Sequence, residues 1–238
     1  MQALSDTIIV TLREHPINVE RRNLGLPYTN FLTLRGCGQR LQVPSFQDKW
    51  GLKPFMIAPT AIIRGVGITF GMPLIEVPGT TGYYDSDLNA KSKKAASLLL
   101  ETDYNFAFVH VKATDDAGHD KSHKIKIEQF EKCDQMISTF IENVQDSNHE
   151  YVICITGDHT TPTLSGDHTY EPVPILISLV SNYLNRNEGN GLNRLKDNVA
   201  KFDEISCSYD SLLGRFNGIE LIPTLLKCKD WINEQIKE

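Results

Sequence analysis

One apolar run limits what this chain can become: Phe106–Val111, FAFVHV, which runs directly into Lys112, Ala113, Thr114 and Asp115, with His119 four positions after Asp115. A continuous apolar run of this length, rich in β-branched and aromatic residues, predicts a strand buried on both faces. Such strands belong to parallel sheets flanked by helices. In those sheets the side chains that carry chemistry gather at the carboxyl ends of the strands. The stretch therefore predicts an α/β architecture and puts a carboxylate and an imidazole, carried on a turn, at its functional edge.

The flanking sequence repeats the alternation. PFMIAP predicts a strand, TAIIRGVGITFGM a helix carrying Arg64, and LIEVPG a short strand. SDLNAKSKKAASLLLE predicts a helix with Ser86 or Asp87 as N-cap. In HKIKIEQFEKCDQMISTFIENV, the apolar residues Ile127, Phe130, Cys133, Ile137, Phe140, Ile141 and Val144 recur at helical spacing. YVICITGDH and VPILISLV predict two more strands. Strands alternating with helices in this way predict a mostly parallel sheet with helices on both faces. Gly65, Gly67 and Gly71 do not have P-loop spacing and no GK[ST] follows, so these glycines predict close packing or a helix end. Upstream, residues 1–15 predict a helix stopped by Pro16, and residues 17–30 a polar connection. Phe31–Leu34 predicts a short strand ending in the turn Arg35-Gly36-Cys37-Gly38, and SFQDKW a short helical piece. Residues 181–200 are Asn-rich and predict a surface excursion, and the C-terminal residues a packed helix.

A net charge of −6 disfavours nucleic acid or a membrane surface as the main partner, although a local cluster of cations can still hold an anionic substrate. The five cysteines are odd in number and form no CxxC pair, which predicts free thiols in a reducing compartment. With no signal-peptide layout at the N-terminus and no apolar run long enough for a bilayer, a cytoplasmic protein is expected.

Ligand-type side chains come from three places: Asp115 with His119, Asp158 with His159 in TGDHTTP, and His168 in GDHTYEPVP. Asp and His together supply the O and N donors that divalent first-row ions take. Asp115 follows one predicted strand and Asp158 another, so topology brings them to one sheet edge. Asp116, Asp120, His123 and Asp167 are expected to be solvated or capping residues, and the role of His110, within its strand, is open.

VHVKATDDAGHD, ITGDHTTP and GDHTYEPVPILI resemble the alkaline phosphatase superfamily. LRGCG, AIIRG, VPGTTGYYDSDLNAK and LLGRFNGIELIP narrow the resemblance to the archaeal-type 2,3-bisphosphoglycerate-independent phosphoglycerate mutases. The resemblance covers roughly residues 15 to 227. It implies an alkaline phosphatase-like fold with the C-terminal part of an inserted substrate-binding domain at residues 1–53 and the C-terminal half of the catalytic domain at 54–238. It implies two divalent ions (Mn2+, Mg2+, Co2+ or Zn2+), one held by Asp115, His119 and His168, the other by Asp158 and His159. Arg35 and Arg64 would bind the phosphate and carboxylate of phosphoglycerate, with Lys112 and Arg215 as weaker candidates. The nucleophilic serine of the family comes from an N-terminal segment that is not found here. Ser5-Asp6 opens an amphipathic helix and is not assigned that role. The implied activity is the mutase reaction of glycolysis. A phosphatase or phosphodiesterase of the same superfamily, or a non-catalytic metal-binding or partner-binding relative, are the alternatives. The oligomeric state is left open.

Overall fold

The computed structural model describes residues 2–33, 38–39, 42–184 and 197–236, without side chains at 2 and 231–236. Arg35, Leu34 and Cys37, and most of the Asn-rich excursion, lie outside the described residues. The chain divides into two compact units, Met1–Gln42 and Val43–Glu238. Phe46 packs in the second unit's core, its ring centroid 4.7 Å from that of Phe106.

In the first unit, α1 spans Gln2–Glu14 and α2 spans Pro16–Asn23. The expected polar connection after Pro16 is thus a helix. A proline at the first helical position lacks only an N–H that would have no intrahelical partner anyway, so Pro16 ends α1 and begins α2. Asn18 is buried and ties the unit together. Its Nδ2 donates to the carbonyls of Leu12 and Thr29, each at 2.7 Å, and its Oδ1 accepts from the Thr29 amide at 3.2 Å. Residues 31–33 are irregular rather than strand.

The second unit is built on β1 (Pro54–Ile57), which pairs in parallel with β2 (Phe106–Val109) in the register Phe55↔Ala107. Every β1 residue is buried, and the strand's alternation sorts its side chains to two sides. Phe55 and Ile57 pack with Ala95, Leu98 and Leu99 of α5 (Leu88–Glu101). Met56 packs the other way, against Phe46 of α3 (Phe46–Trp50), Ile63 of α4 (Ala61–Thr69), Met72 and Leu74. Helices therefore cover both faces of the parallel pair, as the sequence predicts. Gly67 in α4 and Gly71 just beyond it do what was expected. A Cβ on Gly67 would lie 2.3 Å from the Met56 Cε, and Gly71 turns the chain out of the helix at a φ of +68°. LIEVPG is not a full strand. Leu74 makes a single parallel bridge to Met56, and the prolines at 73 and 78 remove the amides that would extend it.

After β2 come α6 (Ala113–His119) and α7 (His123–Val144). Asp87 and Ser122 cap α5 and α7 through side-chain oxygens that accept from Ala90 N and Ile125 N. β3 (Val152–Thr156) pairs with β4 (Ile175–Leu179), and here the pairing is antiparallel. A loop with no helix of its own joins them, so β4 comes back beside β3 rather than crossing over. α8 (Val180–Leu184) follows, then α9 (Glu204–Asp210), a 3-10 turn at Gly218–Glu220 and α10 (Leu221–Ile236). The face expected on α7 divides: Val144, Phe140 and Ile141 pack with Ala96 and Val180, while Ile127 and Phe130 are exposed. Cys133, Cys154, Cys207 and Cys228 are free thiols. No helix among the described residues is long and apolar enough to cross a membrane.

Lys91 on α5 is 1% exposed. Its Nζ donates to the His110 carbonyl at 2.9 Å, anchoring the end of β2. Burial lowers its pKa from 10.5 to about 8, opposed in part by Cys133. A lysine whose folded pKa is depressed costs stability while it must stay charged, and that cost disappears as pH rises from the folded to the unfolded value. Stability is therefore expected to rise between about pH 8 and 10.5, by on the order of 3 kcal/mol. Urea unfolding midpoints across that window should show this slope in the natural chain, and Lys91→Met should lack it.

Candidate metal centre

Asp115 and His119 sit on helix α6 rather than on a turn. The i, i+4 spacing puts both side chains on one helix face. Ala113 and Ala117, both buried, seat the opposite side. The chain reaches α6 directly from β2, where the His110 amide donates to the Ile57 carbonyl at 2.9 Å. The β3–β4 loop supplies His159 and His168 from the other side.

These elements converge. Asp115, His119 and His168 each offer a ligand atom, and the three atoms lie within 4.8 Å of one another. His119 Nε2 is 3.3 Å from Asp115 Oδ2, His168 Nε2 is 3.5 Å from Asp115 Oδ1, and the two Nε2 atoms are 3.1 Å apart. His119 Nδ1 is 3.1 Å from the Gly166 carbonyl oxygen. A carbonyl only accepts, so Nδ1 carries the proton and Nε2 keeps a lone pair aimed into the cluster. One carboxylate and two imidazole nitrogens facing a common point form a donor set suited to a divalent first-row ion.

His159 lies against this group. Its ring centroid is 3.6 Å from that of His168, and its Nδ1 is 3.9 Å from Asp115 Oδ1. Asp158 Oδ2 is 3.4 Å from His159 Nε2, and the Asp158 side chain is mostly exposed. The structure thus joins Asp115, His119 and His168 in one cluster, with His159 against it and Asp158 beside His159.

Asp115 is held as an anion. Burial raises its pKa, but hydrogen bonds from Lys112 and Thr161, with the charge of Lys112, bring it down to about 2. Lys112 pairs with Asp115 and also reaches Asp116 Oδ1 at 3.2 Å. Its ammonium serves as counter-ion to the carboxylate. Of the residues expected to be bystanders, Asp120 accepts from the Tyr84 hydroxyl at 2.6 Å and Asp167 Oδ1 accepts from the His168 amide at 2.8 Å. His123 Nδ1 is 2.5 Å from the Thr163 hydroxyl. His110 is half-buried, its Nδ1 has no hydrogen-bond partner among the described residues, and burial lowers its pKa despite the charge of Asp158. Arg64, on α4, forms an ion pair with Glu76. Arg215 is exposed.

Sequence reasoning missed Thr161. It is 4% exposed, donates to Asp115 Oδ1 at 2.5 Å and lies 3.1 Å from His159 Nδ1. The available signal was its place in TGDHTTP, two residues after His159.

Residues 8–204 match the family model described as the metalloenzyme superfamily. The chain belongs to the metalloenzyme superfamily. It is 36% identical over 216 residues to the 2,3-bisphosphoglycerate-independent phosphoglycerate mutase of Thermococcus kodakarensis, covering 90% of this chain and 48% of that protein. To the enzyme of the same name from Methanococcus maripaludis it is 38% identical over 217 residues, covering 90% of this chain and 49% of the relative. A solved structure of a Pyrococcus horikoshii protein superimposes with a TM-score of 0.78 at 32% identity, covering 95% of this chain and 55% of the other. The cofactor-independent phosphoglycerate mutase of Thermoplasma acidophilum gives a TM-score of 0.55 at 25% identity, covering 96% of this chain and 50% of that one. The chain spans about half the length of the curated relatives it matches.

Proposed function

We propose that this chain is the metal-binding part of a cytoplasmic phosphoglycerate mutase that interconverts 3-phosphoglycerate and 2-phosphoglycerate in glycolysis through a phosphoserine intermediate. The observation that carries the reading is the convergence of Asp115, His119 and His168 on one point, with His159 against them and Asp158 beside it. In this proposal Asp115, His119 and His168 hold one divalent ion and Asp158 and His159 help hold a second; Mn2+, Mg2+, Co2+ and Zn2+ all suit the donors. Two such ions, when bound, supply charge stabilisation to both the attacking and the leaving oxygen of phosphoryl transfer.

The chain's own residues perform the rest of the work in this reading. The Gly166 carbonyl fixes the His119 tautomer, and Lys112 compensates the Asp115 charge until an ion takes that role. Residues 1–53 derive from an inserted substrate-binding domain, and 54–238 from the C-terminal half of the catalytic domain. Arg35 and Arg64 bind the substrate's anionic groups, Arg64 by releasing Glu76. The phosphate-accepting serine is not assigned to any residue of this chain.

Isothermal titration and a coupled 3-phosphoglycerate assay test the reading. The chain is expected to bind Mn2+ and to show no mutase turnover by itself. Absence of Mn2+ binding would overturn the metal assignment. Appreciable turnover would overturn the assignment of the serine outside this chain. Hydrolysis of p-nitrophenyl phosphate would favour a phosphatase instead.

A further inference from the structure

Thr161 lies between the two groups of ligand-type residues, and the protons on its hydroxyl can be counted. Its Oγ1 is 2.5 Å from Asp115 Oδ1 and 3.1 Å from His159 Nδ1. A carboxylate oxygen accepts, and the Thr161 hydroxyl donates to Asp115. The single hydroxyl proton of Thr161 is therefore committed to Asp115. What remains for His159 is an oxygen lone pair, so Nδ1 of His159 must be the protonated nitrogen and donate. His159 Nε2 then keeps its lone pair. The opposite tautomer has its own attraction, because an Nε2–H could donate to Asp158 Oδ2, 3.4 Å away. The Thr161 hydroxyl opposes that choice.

Thr161 is well placed to impose it. Its carbonyl accepts from Lys126 Nζ of α7 at 2.6 Å. Its backbone packs on Gly118 of α6 so closely that a Cβ there would lie 2.3 Å from the Thr161 carbonyl oxygen. The residue is pinned to both helices, and its hydroxyl has little freedom to turn elsewhere.

We propose that Thr161 is a positioning residue that sets the His159 tautomer through the relay His159 Nδ1–H to Thr161 Oγ–H to Asp115, and so couples the Asp115 cluster to the Asp158–His159 pair. The metal consequence rests on the reading of Asp158 and His159 as ligands in the proposed function; the tautomer itself does not.

The first test uses the metal-free chain. Long-range 15N–1H correlation, recorded with rising pH until the His159 signals stop changing, reads the tautomer of the neutral ring directly, with His159→Gln used to assign the signal. Nδ1–H is expected in the natural chain and in Thr161→Ser, and a shift toward Nε2–H in Thr161→Val. An Nε2–H signal in the natural chain overturns the proposal whether or not the valine variant folds, as does an unchanged tautomer in a folded Thr161→Val. The second test is Mn2+ titration. Loss of an outer-shell partner typically weakens metal binding by about 10–100-fold. That loss is expected for Thr161→Val, with Thr161→Ser close to the natural chain. Equal affinity in Thr161→Val overturns the coupling. If the natural chain binds no Mn2+ yet shows the Nδ1–H tautomer, the proposed function fails while the tautomer relay stands.

Discussion

Asp115→Ala is expected to lower Mn2+ affinity by more than about 100-fold, beyond the usual loss for an outer-shell partner, while leaving the fold intact. Asp115 is the one carboxylate of the Asp115, His119 and His168 group, and its two oxygens face both imidazoles. Its removal leaves two neutral nitrogens to bind a divalent ion with no compensating negative charge. The Lys112 ammonium, paired with both Asp115 and Asp116 in the natural chain, then keeps only Asp116 as counter-ion and adds repulsion beside the site. The double variant Asp115→Ala, Lys112→Met should regain part of the lost affinity by removing that repulsion. Isothermal titration of both variants, with circular dichroism to confirm folding, checks the result. Unchanged affinity in Asp115→Ala would remove Asp115 from the ligand set.

The second large effect is on stability. Phe55→Ala is expected to cost about 3–5 kcal/mol. The side chain is fully buried, packs with Ile57 and Ala95, and meets the Tyr104 ring at a centroid distance of 5.2 Å. It sits in β1, whose backbone holds β2 in register, so the cavity opens directly under the strand that leads to Asp115. The denaturation midpoint should fall accordingly, and Mn2+ affinity should weaken with it as β2 loosens. A cost under 1 kcal/mol would show that α5 collapses into the cavity and that the core is less tightly specified than its burial implies.

Much of this was legible in the chain's apolar runs. FAFVHV and YVICIT announced strands, and the ligand-type residues after each were expected to meet, although the described strands pair as two separate sheets rather than one. Asp87 as a cap and Gly67 as a close-packing residue followed from local chemistry. What escaped the sequence has physical reasons. A proline reads as a stop, and whether it also begins a helix depends on how the next residues fold, as at Pro16. Strand direction is not written in composition, so the antiparallel return of β4 could not be read. Ile127 and Phe130 have helical spacing like the rest of α7, and spacing does not say what covers a face. Thr161 belongs to no periodic pattern, and a hydroxyl in a loop acquires meaning only from the carboxylate and imidazole that the fold brings beside it. Lys91 is similar: a lysine on an amphipathic helix reads as solvated until the His110 carbonyl is found in front of it.

The described strands form two separate pairs, β1 with β2 and β3 with β4. Among the described residues, the side of β2 away from β1 and the side of β3 away from β4 have no ladder partner. Unpaired amides and carbonyls in a row are a template for another chain's backbone, and nothing in a sheet edge discriminates self from non-self. Handling of this protein will therefore be governed by concentration as much as by temperature. Light scattering should rise with protein concentration well below the unfolding midpoint, and short extended peptides that cap an open edge should suppress it.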